Sequence, residues 1–161
     1  MIFIFFRYKI PSRKHFTDSV IPEMYRKCRE SLQSTLDTEM AISFTIDTWT
    51  ADHTCQSFLG VTAHWINSEF EGKSSFIGCE PLHDRHTSFN LSDELKKRLL
   101  SWNISIEKCH VVIKDNAANI TKASALAGVD SKSCFIHSLQ LCIQKAFSLK
   151  GQSKNNISRY F

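Results

Sequence analysis

Two short apolar runs in this chain each finish on an aspartate. One is Ser43-Phe44-Thr45-Ile46-Asp47, followed by Thr48-Trp49-Thr50, and the other is His110-Val111-Val112-Ile113-Lys114-Asp115, followed by Asn116-Ala117. Runs of this kind read as strands. If the two pair in parallel, both carboxylates emerge at one edge of the sheet, where open α/β folds hold their ligands. Two carboxylates about 4 Å apart repel by roughly 4 kcal/mol at an effective dielectric near 20. A divalent cation that prefers oxygen ligands, Mg²⁺ or Mn²⁺, cancels that charge, and so does a shared proton or an arginine partner. Taken singly, each aspartate also has an ordinary role, Asp47 in a turn and Asp115 at the start of a helix opened by Asn116-Ala117-Ala118-Asn119. Spacing alone leaves these readings open.

The elements that would position the two acids come from a chain of 161 residues, 42% hydrophobic with 12 Phe, which is ample for one packed domain. Lys+Arg 20 against Asp+Glu 16 leaves a net charge of +4, which permits contact with phosphates without requiring it. Basic residues gather as Arg7, Lys9, Arg13 and Lys14, and again as Lys96, Lys97 and Arg98; such runs are ordinarily solvated faces. The six cysteines at 28, 55, 79, 109, 134 and 142 form no Cys-x-x-Cys pair and lack the dense spacing of a secreted disulfide scaffold. A reducing, intracellular setting is expected. The opening Met1-Ile2-Phe3-Ile4-Phe5-Phe6 is shorter than a signal-peptide core or a membrane span, so it is read as a buried segment and no membrane partner is expected.

Residues Val20, Ile21, Met24, Tyr25, Cys28, Leu32 and Leu36 recur at helical spacing, and Pro22 places the start of that amphipathic helix at itself. The period then shortens, predicting strands over 43–48, 57–65 and 70–78, with a hairpin turn at Asn67-Ser68-Glu69 and Pro81 closing the third strand. A loop with His83, Asp84, Arg85, His86 and Thr87 leads to a helix over 91–102, with Leu91, Leu95, Leu99 and Trp102 on one face and a capping-type start over 92–94. A fourth strand over 109–114, a helix to Ala127 stopped by Gly128, a fifth strand over 133–137 and a helix over 138–147 complete the series. The polar stretch from Lys150 to Arg159 has no apolar pattern to fold around. An antiparallel meander followed by alternating helices and strands is the order of the RNase H-like fold. That fold is α/β, with a mixed five-stranded sheet, flanking helices and neighbouring, parallel first and fourth strands. The expected organisation is a lead-in with an amphipathic helix over 1–40, an incomplete RNase H-like domain over 41–149, and a polar tail over 150–161.

Four motifs occur in order: Ile46-Asp47-Thr48-Trp49-Thr50; His86-Thr87; Val112-Ile113-Lys114-Asp115-Asn116-Ala117-Ala118-Asn119; and Cys134-x-x-His137-Ser138-Leu139-Gln140-Leu141. Together with the lead-in Arg7-Tyr8-Lys9-Ile10-Pro11-Ser12-Arg13-Lys14, the series resembles the hAT transposase superfamily. Its nearest flavour is that of the zinc finger BED domain-containing proteins, many of them domesticated transposases. The resemblance implies a catalytic core with an Asp, Asp, Glu triad that uses two Mg²⁺ ions to cut and rejoin DNA, Asp47 matching the first acid and Asp115 the second. It also implies motif or nucleic-acid roles for Trp49, His86, Thr87, Asn116, Asn119, Cys134 and His137, with His137 contacting a phosphate or ordering the site near the metals. Cys134 has the alternative of a core thiol, and His137 that of a helix-start residue hydrogen-bonded locally. No zinc is expected within this chain: Cys134 and His137 are two ligands where tetrahedral Zn²⁺ wants four, and His83 and His86 sit in a loop with few others.

The family's third acid follows a long helical insertion, whereas Glu69, Glu71, Glu80, Glu94 and Glu107 all precede Asp115. With two of three ligands the chain is expected to bind Mg²⁺ or Mn²⁺ weakly and to catalyse poorly by itself, as a fragment of a longer protein. One reading is a partial catalytic domain of a hAT-type transposase or of a domesticated derivative. The other is a non-catalytic scaffold of a BED zinc-finger type transcriptional regulator, binding nucleic acid or protein. Both imply DNA as partner, the nucleus as location, and oligomer contacts, where present, made by regions outside this chain.

Overall fold

The computed structural model describes residues 10–82 and 86–149. The opening apolar segment, Arg7, Lys9, the loop residues His83, Asp84 and Arg85, and the polar tail lie outside the described residues. What is described falls into two units, one ending at Thr38 and the other beginning at Glu39.

In the first unit, proline chemistry shapes the helix. Pro22 has no N–H to donate and its ring crowds the turn before it. The chain answers with a wider turn: α1 (Arg13–His15) passes through a π-turn, Phe16–Val20, into α2 (Ile21–Thr38). The N–H of Ile21 bonds the carbonyl of Phe16, five residues back. The helical segment therefore begins at Arg13 instead of Pro22, on an N-cap in which Ser12 Oγ accepts from the His15 N–H at 3.2 Å. On α2, Arg26 bridges Glu23 and Glu30 at 2.8 Å each, and Arg26 with Lys27 holds the Glu23 carboxyl below the usual carboxylate range. Ile21, Met24 and Tyr25 remain exposed, while Leu36 is buried.

The second unit is built on a sheet of five strands, β1 (Ile42–Thr50), β2 (Ser57–Ile66), β3 (Gly72–Leu82), β4 (Cys109–Lys114) and β5 (Ser131–Ser133), in the order β3-β2-β1-β4-β5. The pairs β1/β2 and β2/β3 are antiparallel, while β1/β4 and β4/β5 are parallel. This is the mixed α/β arrangement the sequence implies, with the first and fourth strands side by side. Asn67 makes the β2–β3 turn by accepting the N–H groups of Glu69 and Glu71 at 3.0 and 2.8 Å on its side-chain oxygen. Pro81 does not close β3 but pairs within it opposite Phe58; β3 is an edge strand, the place in a sheet that tolerates proline.

Even-numbered residues of β1 and β4, Ile42, Phe44, Ile46 and Val112, are buried together with Leu59, Val61 and Ala63 of β2. Full burial of Phe44 alone is worth about 2 kcal/mol. The helices α3 (Ser88–Ser101) and α4 (Ala118–Ala127) pack against each other and touch the sheet through β3, β4 and β5. Leu91, Leu95, Leu99 and Trp102 are buried, as their spacing predicts, and the Trp102 indole N–H donates to the Ile77 carbonyl at 2.7 Å. The cap of α3 is Thr87, not the 92–94 segment: its hydroxyl accepts from the Asn90 N–H at 3.3 Å, and Ser92 is buried inside the helix. Gly128 ends α4 with φ 76°, a conformation that suits glycine. Of the basic run at 96–98, Lys96 and Lys97 are exposed, but Arg98 turns inward to an ion pair with Glu80 and lies against Gly78, where a Cβ would find no room. The fifth strand is also shorter and earlier than predicted. It ends at Ser133, and Phe135-Ile136-His137 already forms the first turn of α5 (Phe135–Leu149), a segment whose short apolar pair fits either element by pattern.

Candidate functional site

Odd-numbered residues of β1 point to the other face of the sheet. There Thr45 lies beside Ile113 of β4, the last pair of the parallel ladder, and Asp47 and Asp115 each follow that pair by two residues. Neighbouring strands run about 4.8 Å apart, so the two acids follow backbone positions that are neighbours across the ladder. Asp47 is exposed and Asp115 half-buried.

On its other side Asp47 pairs with Gly60 of β2. A Cβ at Gly60 would lie 2.8 Å from the Trp49 ring and 3.6 Å from that of Phe76, so the missing side chain is what seats the indole there. Trp49 also stacks on Phe58, with centroids 5.6 Å apart and planes at 23°. With Trp49 42% exposed and Phe76 58% exposed, the acids have an open aromatic shelf beside them.

The segment after β4 is tied down by side chains. Asp115 Oδ1 accepts from the Ala117 N–H at 2.9 Å, an Asx turn just before α4. Asp115 thus does not cap α4, whose N-cap is Ala117 with no side-chain cap bond; its Asx turn precedes the helix and engages one carboxylate oxygen. The Cys134 N–H donates to the Lys114 carbonyl at 2.7 Å, and Asn116 Nδ2 donates to Ser138 Oγ at 3.0 Å. Both bonds fasten the start of α5 to the end of β4. Asn119 Nδ2 donates to the His86 carbonyl at 2.8 Å, fastening the start of α4 to the residue before the α3 cap.

A common origin accounts for motifs this far apart meeting around one strand end. The family described as the ZBED1 RNase-like domain matches residues 45–148. This chain belongs to that family. It is 27% identical over 159 residues to the human zinc finger BED domain-containing protein 6, covering 87% of this chain and 16% of that protein. It is 30% identical over 113 residues to the putative AC transposase of Zea mays, covering 68% of this chain and 13% of that protein. It is 27% identical over 113 residues to the Hobo transposase of Drosophila melanogaster, covering 70% and 17%. The chain thus spans less than a fifth of the length of these curated relatives.

Within this RNase-like domain the sequence-selected residues divide into three groups. Asp47 and Asp115 each lie two residues past the paired Thr45 and Ile113, and Trp49 stands two residues beyond Asp47 on β1. Asn116, Asn119, His86 and Thr87 act as fasteners and caps in the arrangement described above. Cys134 and His137 are half-buried at the start of α5, and among the described residues no group of three His, Cys, Asp or Glu side chains forms a metal cluster. His83 lies outside the described residues. All six cysteines are free thiols. The Cys109 thiol, at the far end of β4, is pushed up to about 11 by burial and then by the nearby charge of Asp130.

One residue passed over in the sequence is Lys114. It is 4% exposed, and its Nζ donates to Thr121 Oγ1 at 2.8 Å. The available signal was its even-numbered place in β4, in phase with Val112 on the covered face.

Proposed function

We propose that this domain is the metal-binding part of a hAT-type transposase core, or of a domesticated derivative of one, in which Asp47 and Asp115 hold a Mg²⁺ or Mn²⁺ ion and DNA is the partner. The observation that supports this most is the parallel β1/β4 register, which pairs Thr45 with Ile113 two residues before each acid. The donor set fits a hard cation: Asp47 is exposed, and Asp115 has one oxygen beyond the one engaged by Ala117. Such an ion, when bound, supplies the positive charge that phosphodiester cleavage and strand transfer need. The chain's own work is to hold the carboxylates together, through the sheet and the Asx turn, and to present Trp49 beside them. Two carboxylates hold a cation weakly, with water filling the remaining positions, so the domain by itself is a poor catalyst. Its place is the nucleus, where duplex DNA is found.

Mn²⁺ titration tests the site. Amide signals around Thr48 and Asn116 broaden in the full chain, and Asp115→Ala abolishes the effect. A spectrum untouched by Mn²⁺ refutes the metal site. A second reading, a scaffold binding nucleic acid or protein without chemistry, draws on the exposed rings of Trp49 and Phe76, with Phe58 stacked half-buried on Trp49, which need no metal to make contact. Duplex DNA binding that weakens with salt but ignores both EDTA and Asp115→Ala favours the scaffold. No described helix is long and apolar enough to cross a membrane.

A further inference from the structure

Next to Asp115 in the chain lies a buried lysine. Lys114 ends β4, and strand alternation turns its side chain to the same covered face as Val112. Its Nζ reaches Thr121 Oγ1 at 2.8 Å and, at a longer 3.4 Å, the Asp115 carbonyl; Thr121 Oγ1 donates in turn to the Ala117 carbonyl at 3.0 Å. Both acceptors of the ammonium are neutral. Taking an ammonium out of water costs several kcal/mol, and a neutral apolar side chain of similar volume would fill the space without that penalty. Packing therefore does not account for a lysine here. What the lysine does is join the two ends of the segment 115–121, the one that contains the Asp115 Oδ1 to Ala117 N–H bond. It also brings a positive charge close to the backbone that bears the Asp115 carboxylate.

We propose that Lys114 is a positioning residue, whose ammonium fixes the Asp115–Ala117 turn so that the Asp115 carboxylate is held beside Asp47 for a divalent cation, a role that rests on reading those two acids as a metal pair. The test uses the full 161-residue chain with Lys114→Met, Lys114→Arg and Thr121→Val, and two readouts. The amide shift and hydrogen exchange of Ala117 report the turn without any metal, and Mn²⁺ titration followed by NMR reports the site. Lys114→Met is expected to speed Ala117 exchange and to weaken Mn²⁺ binding by about tenfold, the usual cost of losing a partner that orients a ligand. Its melting temperature should not fall, which separates positioning from plain structural support. Lys114→Arg should restore part of both signals. Thr121→Val, which removes the acceptor and leaves the lysine, should act in the same direction and decides the matter if Lys114→Met fails to fold. Wild-type Ala117 exchange and Mn²⁺ affinity in Lys114→Met overturn the proposal. A wild-type chain without any Mn²⁺ response refutes the metal pair instead, and unchanged Ala117 exchange then overturns the positioning role by itself.

Discussion

If Asp47 and Asp115 are true neighbours, their charges must be coupled in the metal-free protein, and a double-mutant cycle measures that coupling. If the carboxylates keep the spacing of their strands, they stand about 5 Å apart. At that distance two unit charges repel by about 3 kcal/mol at an effective dielectric of 20 and by about 1 kcal/mol in water. Asp47 is exposed, so the lower figure applies. Asparagine is the replacement of choice because it keeps an oxygen at Oδ1, which preserves the bond from the Ala117 N–H at position 115. Urea unfolding of the wild type, Asp47→Asn, Asp115→Asn and the double variant, in low salt with chelator, should then show that removing either charge relieves the same repulsion. The double variant gains no more than one single variant, a coupling of about 1 kcal/mol. In 1 M salt, where the screening length is about 3 Å, the coupling should nearly vanish. Mg²⁺ at ten times its dissociation constant should stabilise the wild type by about 1.4 kcal/mol and the variants by much less. Single effects that add within about 0.3 kcal/mol at low salt would show that the acids do not meet, and would refute the register argument.

Other consequences follow from single contacts. Gly60→Ala places a methyl 2.8 Å from the Trp49 ring, so the indole must leave its seat. The expected loss is about 1–3 kcal/mol, with a shifted Trp49 indole signal by NMR. Thr87→Ala removes the α3 cap and should cost about 1 kcal/mol in denaturant unfolding, whereas Ser92→Ala, at the position the sequence favours for a cap, should not show a cap-sized loss. Cys109, whose thiol is pushed up to about 11, keeps its proton at pH 8. Alkylation followed by peptide mass mapping should label it roughly a hundredfold more slowly than a thiol with an ordinary value. Because the raised value means that the folded chain holds that proton longer than the unfolded one, this thiol makes stability fall as pH rises from about 9 towards 11.

Local pattern was sufficient for much of this fold. Period-two runs placed β1, β2 and β4, helical spacing placed the Leu91, Leu95, Leu99 and Trp102 face, and Gly128 marked the end of α4, because each depends only on residues a few positions apart. The two aspartates could be picked out for the same reason, as polar groups at the ends of apolar runs. Pattern failed where more than the local apolar period decides. Pro22 is accommodated by a π-turn, and Pro81 stays in β3 because that strand lies at the sheet edge. Phe135-Ile136-His137 became helix instead of strand, since so short an apolar run suits both. Arg98 left its basic run for Glu80 on a neighbouring strand.

The chain's own order of residues thus determined that there would be strands ending in acids and helices between them. Only tertiary structure decided that β1 and β4 lie in parallel with Thr45 beside Ile113, that Trp49 rests over Gly60, and that Lys114 is enclosed next to the second acid. Periodicity sets which face a side chain takes. Which groups then meet across that face depends on the pairing of segments more than sixty residues apart, and on the burial that follows from it.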